Sequence, residues 1–162
     1  MSRSDLPERT NKGEQMRNAV EEKNQLLVIE DNPADVDLLQ RALAAAKLDC
    51  QLTVVDDGAL AMALFRPGAA TPVPDLAIVD LNLPKHGGIE IIAQMRANPM
   101  FADVPVVILS SSSSPSDRSK MEKYQIRRYI VKPADLDEFM NIGPQIREIL
   151  SINKKLGRSS GA

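Results

Sequence analysis

Four short stretches place reactive side chains directly after runs of apolar residues. Glu30 and Asp31 follow QLLVI (25–29), Asp80 follows DLAIV (75–79), Ser110 follows VPVVIL (104–109), and Lys132-Pro133 follows RYIV (128–131). Three carboxylates gathered at one edge repel each other and raise each other's pKa unless they share a cation. The set is rich in oxygen and free of cysteine and histidine, which suits Mg²⁺ with retained waters, Mn²⁺ being the alternative. Lys132 adds a movable positive charge and Ser110 a hydroxyl. An ammonium, a hydroxyl and a divalent ion around one aspartate would together neutralise the equatorial oxygens of a transferring phosphoryl group. Asp80 is then the natural nucleophile.

The elements that must bring these residues together are legible in the spacing. The runs 25–29, 51–55 (QLTVV), 75–79, 104–109 and 128–131 are rich in Val, Ile and Leu with little polar alternation, as in strands buried on both faces of a parallel sheet. Between them lie helical segments. Asn32 and Pro33 open the first, with Val36, Leu39, Leu43 and Ala46 on one face. Asp57-Gly58 opens a second carrying Leu60, Ala61 and Leu64, which Pro67-Gly68 stops. A third carries Ile89, Ile92, Ala93 and Arg96 and ends at Asn98-Pro99. A fourth starts near Ser114 or Pro115 and holds Met121 and Tyr124. The last runs through ADLDEFMNIGPQIREIL and buries Leu136, Phe139, Met140, Ile146 and Leu150, with a kink at Gly143-Pro144. Five alternations of strand and helix predict an open α/β sandwich. In such a sheet ligands sit beyond the carboxyl ends of the strands, where the reactive residues lie.

The chain of 162 residues, 43% hydrophobic, is sized for one domain. Its expected organisation is a tail over 1–24, a domain over 25–150 and a second tail over 151–162. A net charge of −2 and a pI near 5.5 disfavour nucleic acid as a partner. A lone cysteine, no apolar run near the roughly 18 residues of a membrane span and no secretory pattern at the start make the cytoplasm the expected location, with no membrane partner.

The order IEDNPAD, VDLNLPKHGG, VILSS and YIVKPAD resembles the receiver domain of bacterial two-component response regulators over residues 25 to 150. The resemblance implies a flavodoxin-like (βα)5 three-layer sandwich with a five-stranded parallel sheet of order 2-1-3-4-5. It implies that Asp80 accepts a phosphoryl group from a phosphohistidine, that Asp31 binds Mg²⁺ directly, that Glu30 acts through water, and that the backbone carbonyl of Asn82 completes the metal shell. It assigns Lys132, Ser110 and Ser111 to the phosphoryl oxygens, Ser110 and Tyr129 to the switch, and Asn82 and Ser112 to the tuning of hydrolysis. A cis peptide between Lys132 and Pro133 would aim the lysine inward. Pro84 matches the usual proline of the loop after the third strand, and Gly87-Gly88 replace a usual Asp-Gly, which implies a looser loop.

The implied partners are a sensor histidine kinase or a histidine phosphotransfer protein, and the phrases VIEDNPADVDLL, DLNLPK and KPADLDEF resemble the regulators that partner bacteriophytochromes. Ala34, Asp35 and Leu38 are candidate contacts for the kinase. With no second domain read after residue 150, the output is expected to be a protein contact or onward phosphotransfer. A homodimer through the fourth helix, fifth strand and fifth helix is one form, with Arg118, Lys120, Lys123, Arg127, Arg128 and Tyr129 beside Asp135 and Asp137.

Blander readings exist for each residue. Glu30, Asp31 and Asp35 could simply favour a helix N-terminus, Asp80 could form a turn, and Tyr129 could be an edge aromatic. His86 reads as a surface residue and Cys50 as a packing residue. Haloacid-dehalogenase-like phosphatases share the nucleophile and the metal, but they place the nucleophile after their first strand as Asp-x-Asp. Here the acidic pair comes first and Asp80 is followed by Leu81-Asn82. A phosphate-independent receiver-like module would lack Asp80 or Lys132. The expected role is therefore signalling by self-catalysed phosphotransfer rather than enzymatic turnover.

Overall fold

The computed structural model describes residues 23–113 and 115–160, with side chains described outside 115–118 and 157–160. Residues 1–22 of the expected 1–24 tail, the Ser114 helix start and the Arg118 side chain lie outside the described residues. The apolar runs form β1 (Asn24–Ile29), β2 (Cys50–Val55), β3 (Leu76–Val79), β4 (Val106–Ser110) and β5 (Arg128–Val131). All pair in parallel in one sheet of order β2-β1-β3-β4-β5, the expected order. The helices are α1 (Pro33–Ala45), α2 (Gly58–Leu64), α3 (Gly88–Ala97), α4 (Pro115–Lys123), α5 (Leu136–Met140) and α6 (Ile142–Ser160).

Side chains alternate along a strand, so each central strand feeds two cores. On one face Leu27, Ile29, Ala77, Val79, Val106 and Ile108 pack with Ala61 and Phe65 of the α2 region, Ile91, Ile92 and Met95 of α3, and Met121 of α4. On the other, Leu26, Val28, Ile78, Val107 and Leu109 meet Leu39 and Leu43 of α1, Phe139 of α5, and Ile142, Ile146 and Ile149 of α6. The result is the expected three-layer sandwich.

Several expected faces shift by a residue or two. Leu60 is 59% exposed while Ala61 and Phe65, four apart, point inward, and on α3 the fully buried positions are Ile91, Ile92 and Met95. Arg96 belongs to the inner side of α3 for a polar reason. Its guanidinium donates to the carbonyls of Ala102 (2.9 Å), Val104 (2.8 Å) and Tyr124 (2.9 Å), tying the α3–β4 connection to the end of α4. β2 is half exposed rather than buried on both faces, because it is an edge strand paired only with β1.

The last helix divides in two at Asn141. Pro144 has no amide to donate to Met140, four residues earlier, and its ring crowds that carbonyl, so it is tolerated only in the first turn of a new helix. Leu136, expected in the core, begins the five-residue α5 and is 56% exposed. Beyond residue 150, α6 continues to Ser160 through positions set apart as a tail.

Gly143 is the contact at which α6 meets α1. A Cβ there would lie 2.2 Å from the Ala42 carbonyl oxygen and 2.9 Å from the Ala46 Cβ, both on the packed face of the first helix. Gly143→Ala is therefore expected to lower unfolding stability by about 1–3 kcal/mol, measured as a lower midpoint in urea with an unchanged slope.

Candidate functional site

Strand register builds the site. Ile29 pairs with Val79, so the next residues, Glu30 and Asp80, emerge side by side at the carboxyl edge, and the Asp80 amide donates to the Ile29 carbonyl at 3.0 Å. Ser110 pairs with Val131, and the following Lys132 amide donates to the Ser110 carbonyl at 2.8 Å. The reactive residues at the carboxyl ends of β1, β3, β4 and β5 thus converge. Glu30, Asp80 and Ser110 are all buried.

Lys132 stands at the centre. Its Nζ lies 2.8 Å from Asp35 Oδ2, 3.0 Å from Glu30 Oε1 and 3.1 Å from Asp80 Oδ2. Asp35 was expected to face a kinase, yet its carboxylate turns inward. It sits four residues before Leu39, which is four before Leu43, so it lies on the inner stripe of α1, where a carboxylate requires a cation. That spacing was the available clue to its place. The Lys132–Pro133 peptide is trans, as are all the described peptide bonds, contrary to the expected cis bond. The trans form is the intrinsically favoured one, and from it the ammonium already reaches all three carboxylates.

Oxygens of Glu30, Asp31 and Asp80 all lie within 4.8 Å of one another, Asp31 being exposed to solvent. This hard, oxygen-only donor set fits Mg²⁺ or Mn²⁺. Asn82 ties the neighbouring loops together. Its amide nitrogen donates to Asp80 Oδ1 at 3.0 Å, and its side-chain Nδ2 lies 3.3 Å from both Ser110 Oγ and Ser111 Oγ. Ser110 Oγ also accepts from the Ser112 amide at 3.3 Å, and the Tyr129 hydroxyl donates to the Ser112 carbonyl. Gly88 is required by close approach: a Cβ would lie 2.4 Å from the Asp80 carbonyl oxygen, so at this position the expected looser loop is tightly packed. Gly87 has room. On the outer side of the same loop, Lys85 meets Asp57 at 3.4 Å and His86 meets Glu90 at 3.1 Å.

This geometry belongs with known proteins. Residues 26–142 match the family model of the response regulator receiver domain. The chain belongs to that family. Response regulator Rcp1 of Synechocystis sp. is 32% identical over 120 residues, which cover 72% of this chain and 82% of Rcp1. The crystal structure of the phosphorylated cyanobacterial phytochrome response regulator RcpA aligns with a TM-score of 0.71 at 34% identity, covering 79% of this chain and 94% of RcpA. The Mn²⁺-bound form of Rcp1 aligns with a TM-score of 0.69 at 31% identity, over 76% and 91% of the two chains. The receiver is thus a phosphoacceptor signalling module resembling phytochrome-associated regulators, and neither the phosphatase reading nor the phosphate-independent one is favoured. Receiver domains act with sensor histidine kinases, and no helix among the described residues is long and apolar enough to cross a membrane.

The protonation of the receiver's acidic cluster follows from burial. Desolvation, reinforced by a hydrogen bond to Asp80, pushes the Glu30 carboxyl up to about 8 against the pull of Lys132. Desolvation would also raise Asp80, but its hydrogen bonds with Glu30, the Asn82 amide and Lys132 outweigh it and hold Asp80 below the usual carboxylate range. Burial would lower Lys132, yet its bonds to Asp35, Glu30 and Asp80 hold it above the ordinary lysine range. At neutral pH Glu30 therefore keeps a proton while Asp80 and Lys132 are ionised.

Glu30 must release that proton before offering its lone pairs to a cation. Because its folded-state value of about 8 exceeds the ordinary 4.5, its contribution to metal-free stability is fully present below 4.5 and lost as pH rises through about 8. Cation affinity changes in the opposite sense. Titration calorimetry is expected to show Mg²⁺ binding that tightens as pH rises, levels off above about 8 and releases protons below it, and Glu30→Gln is expected to flatten the profile.

Proposed function

We propose that Asp80 is the phospho-accepting aspartate of this receiver and that it takes its phosphoryl group from the phosphohistidine of a sensor histidine kinase or histidine phosphotransfer protein. The observation that carries the reading is the position of Lys132 Nζ, 3.1 Å from Asp80 Oδ2, beside the oxygens of Glu30 and Asp31. An Asp80 oxygen forms a bond to phosphorus as the phosphorus–nitrogen bond breaks. The bonding pair stays on the imidazole nitrogen, and an imidazole protonated at its other nitrogen leaves neutral.

Lys132 and Ser110 donate to the phosphoryl oxygens, and Ser111 allows the group to enter. Glu30, Asp31, Asp80 and the backbone carbonyl of Asn82 would hold Mg²⁺. When bound, that ion supplies positive charge against the phosphoryl oxygens. Ser110 and Tyr129 pass the change to the surface formed by α4, β5 and the helices that follow, where the proposed output is a protein contact, a homodimer being one form, or onward phosphotransfer. Asn82 and Ser112, beside the acceptor and the hydroxyl, tune hydrolysis.

The likeness to RcpA, a phytochrome response regulator, supports a bacteriophytochrome as the cognate kinase. Incubation with phosphoramidate and Mg²⁺ followed by intact mass tests the central step. Wild type is expected to gain one phosphoryl group and Asp80→Asn none, while Lys132→Ala gains it about 10²-fold more slowly. Equal labelling of wild type and Asp80→Asn would remove Asp80 from the role.

A further inference from the structure

Asp35 has no place in the chemistry described so far. It is not among the carboxylates whose oxygens cluster for a cation, yet it makes the shortest of the three contacts to Lys132, at 2.8 Å. It is also held in place itself. Asn32, the N-cap of α1, accepts from the Ala34 amide at 3.0 Å, and its Nδ2 lies 3.2 Å from Asp35 Oδ2. A chain of hydrogen bonds therefore runs from the first turn of α1 through Asn32 and Asp35 to the ammonium.

An ammonium has three donors. In the receiver all three point at carboxyl oxygens, those of Asp35, Glu30 and Asp80. The bonds to Glu30 and Asp80 are the ones that phosphoryl transfer disturbs, because both side chains belong to the cation cluster and one is the phosphoacceptor. The bond to Asp35 is not drawn into either event. Lysine has a flexible stem and rotatable donors, so a single fixed acceptor decides where its other two hydrogens point.

We propose that Asp35 is a positioning residue for phosphoryl transfer: it anchors Lys132 to α1 so that the remaining ammonium donors face Asp80 and the incoming phosphoryl oxygens. This rests on the reading of Asp80 as the phosphoacceptor. It gives the IEDNPAD stretch a second function beside its acidic pair, with Asn32 capping the helix and orienting Asp35 together.

Two measurements on the full chain test the anchor. In ¹⁵N-labelled protein with Mg²⁺, the Lys132 ammonium resonance is expected to be protected from exchange in wild type, to persist in Asp35→Asn, whose amide oxygen still accepts, and to vanish in Asp35→Ala. With phosphoramidate at saturating Mg²⁺, Asp35→Ala is expected to slow phosphorylation ~10-fold, Asp35→Asn less. In a Lys132→Ala background, Asp35→Ala is expected to cost nothing further, since the two residues act as one unit. An equal loss in both backgrounds, or an ammonium signal indifferent to Asp35→Ala, overturns the proposal. A wild type that gains no phosphoryl mass would instead overturn the role of Asp80, while the ammonium signal still decides the role of Asp35.

Discussion

One ammonium allows four acidic side chains to crowd the carboxyl edge of this sheet. Lys132 bonds Glu30, Asp35 and Asp80 directly, with Asp31 next to them on the solvent side. Burying unpaired carboxylates would cost far more than a small domain can sustain. Even with the lysine present, desolvation by burial, reinforced by the hydrogen bond to Asp80, makes Glu30 hold a proton up to about 8. The site is thus short of positive charge in a way that a divalent ion corrects. Asp80 stays ionised for a different reason: the proton kept by Glu30, the Asn82 amide and the Lys132 ammonium all bond its carboxylate.

Such a cluster needs a rigid frame, and the frame comes from parallel register and close backbone contact. A one-residue slip between β1 and β3 would turn Glu30 or Asp80 to the opposite face. The buried runs on both faces of β3 and β4 make that slip costly, because every residue of these strands is buried. Gly88 lets α3 begin directly against the Asp80 carbonyl, and Gly143 lets α6 lie against the carbonyl of Ala42 in α1. Since α1 carries Asp35, the packing of α6 on α1 also helps to set where Lys132 finds its acceptor.

The five strands, the positions of the reactive residues and their convergence were legible in the chain, because parallel strands read as continuous apolar runs and chemistry follows their ends. Less legible were features that depend on neighbours in space. β2 has the same Val and Leu content as the central strands, and only the sheet order makes it an edge. Leu60 and Leu136 looked like core residues by type, but helix rotation and a helix start leave them at the surface. Arg96 was placed on the inner side of α3, although the carbonyls that explain it come from two separate connections. Asp35 was read as an outward contact because its helical position was weighed as a charge near an N-terminus, not as a carboxylate on the stripe of Leu39 and Leu43.

The hydroxyl side of the site shows how a local event can reach β5. Ser110 Oγ accepts from both Asn82 Nδ2 and the Ser112 amide, so its own hydrogen can turn toward Asp80 without either bond being surrendered. A displacement of the whole hydroxyl is different, since it pulls on the bond from the Ser112 amide, and the Ser112 carbonyl is where the Tyr129 hydroxyl is bound. Tyr129 stands three residues before Lys132 on the same strand end. The serine side and the lysine side of the site are therefore both tied to β5. Rotation of a hydroxyl would leave that strand undisturbed, whereas movement of the β4–α4 connection would act on it through Tyr129.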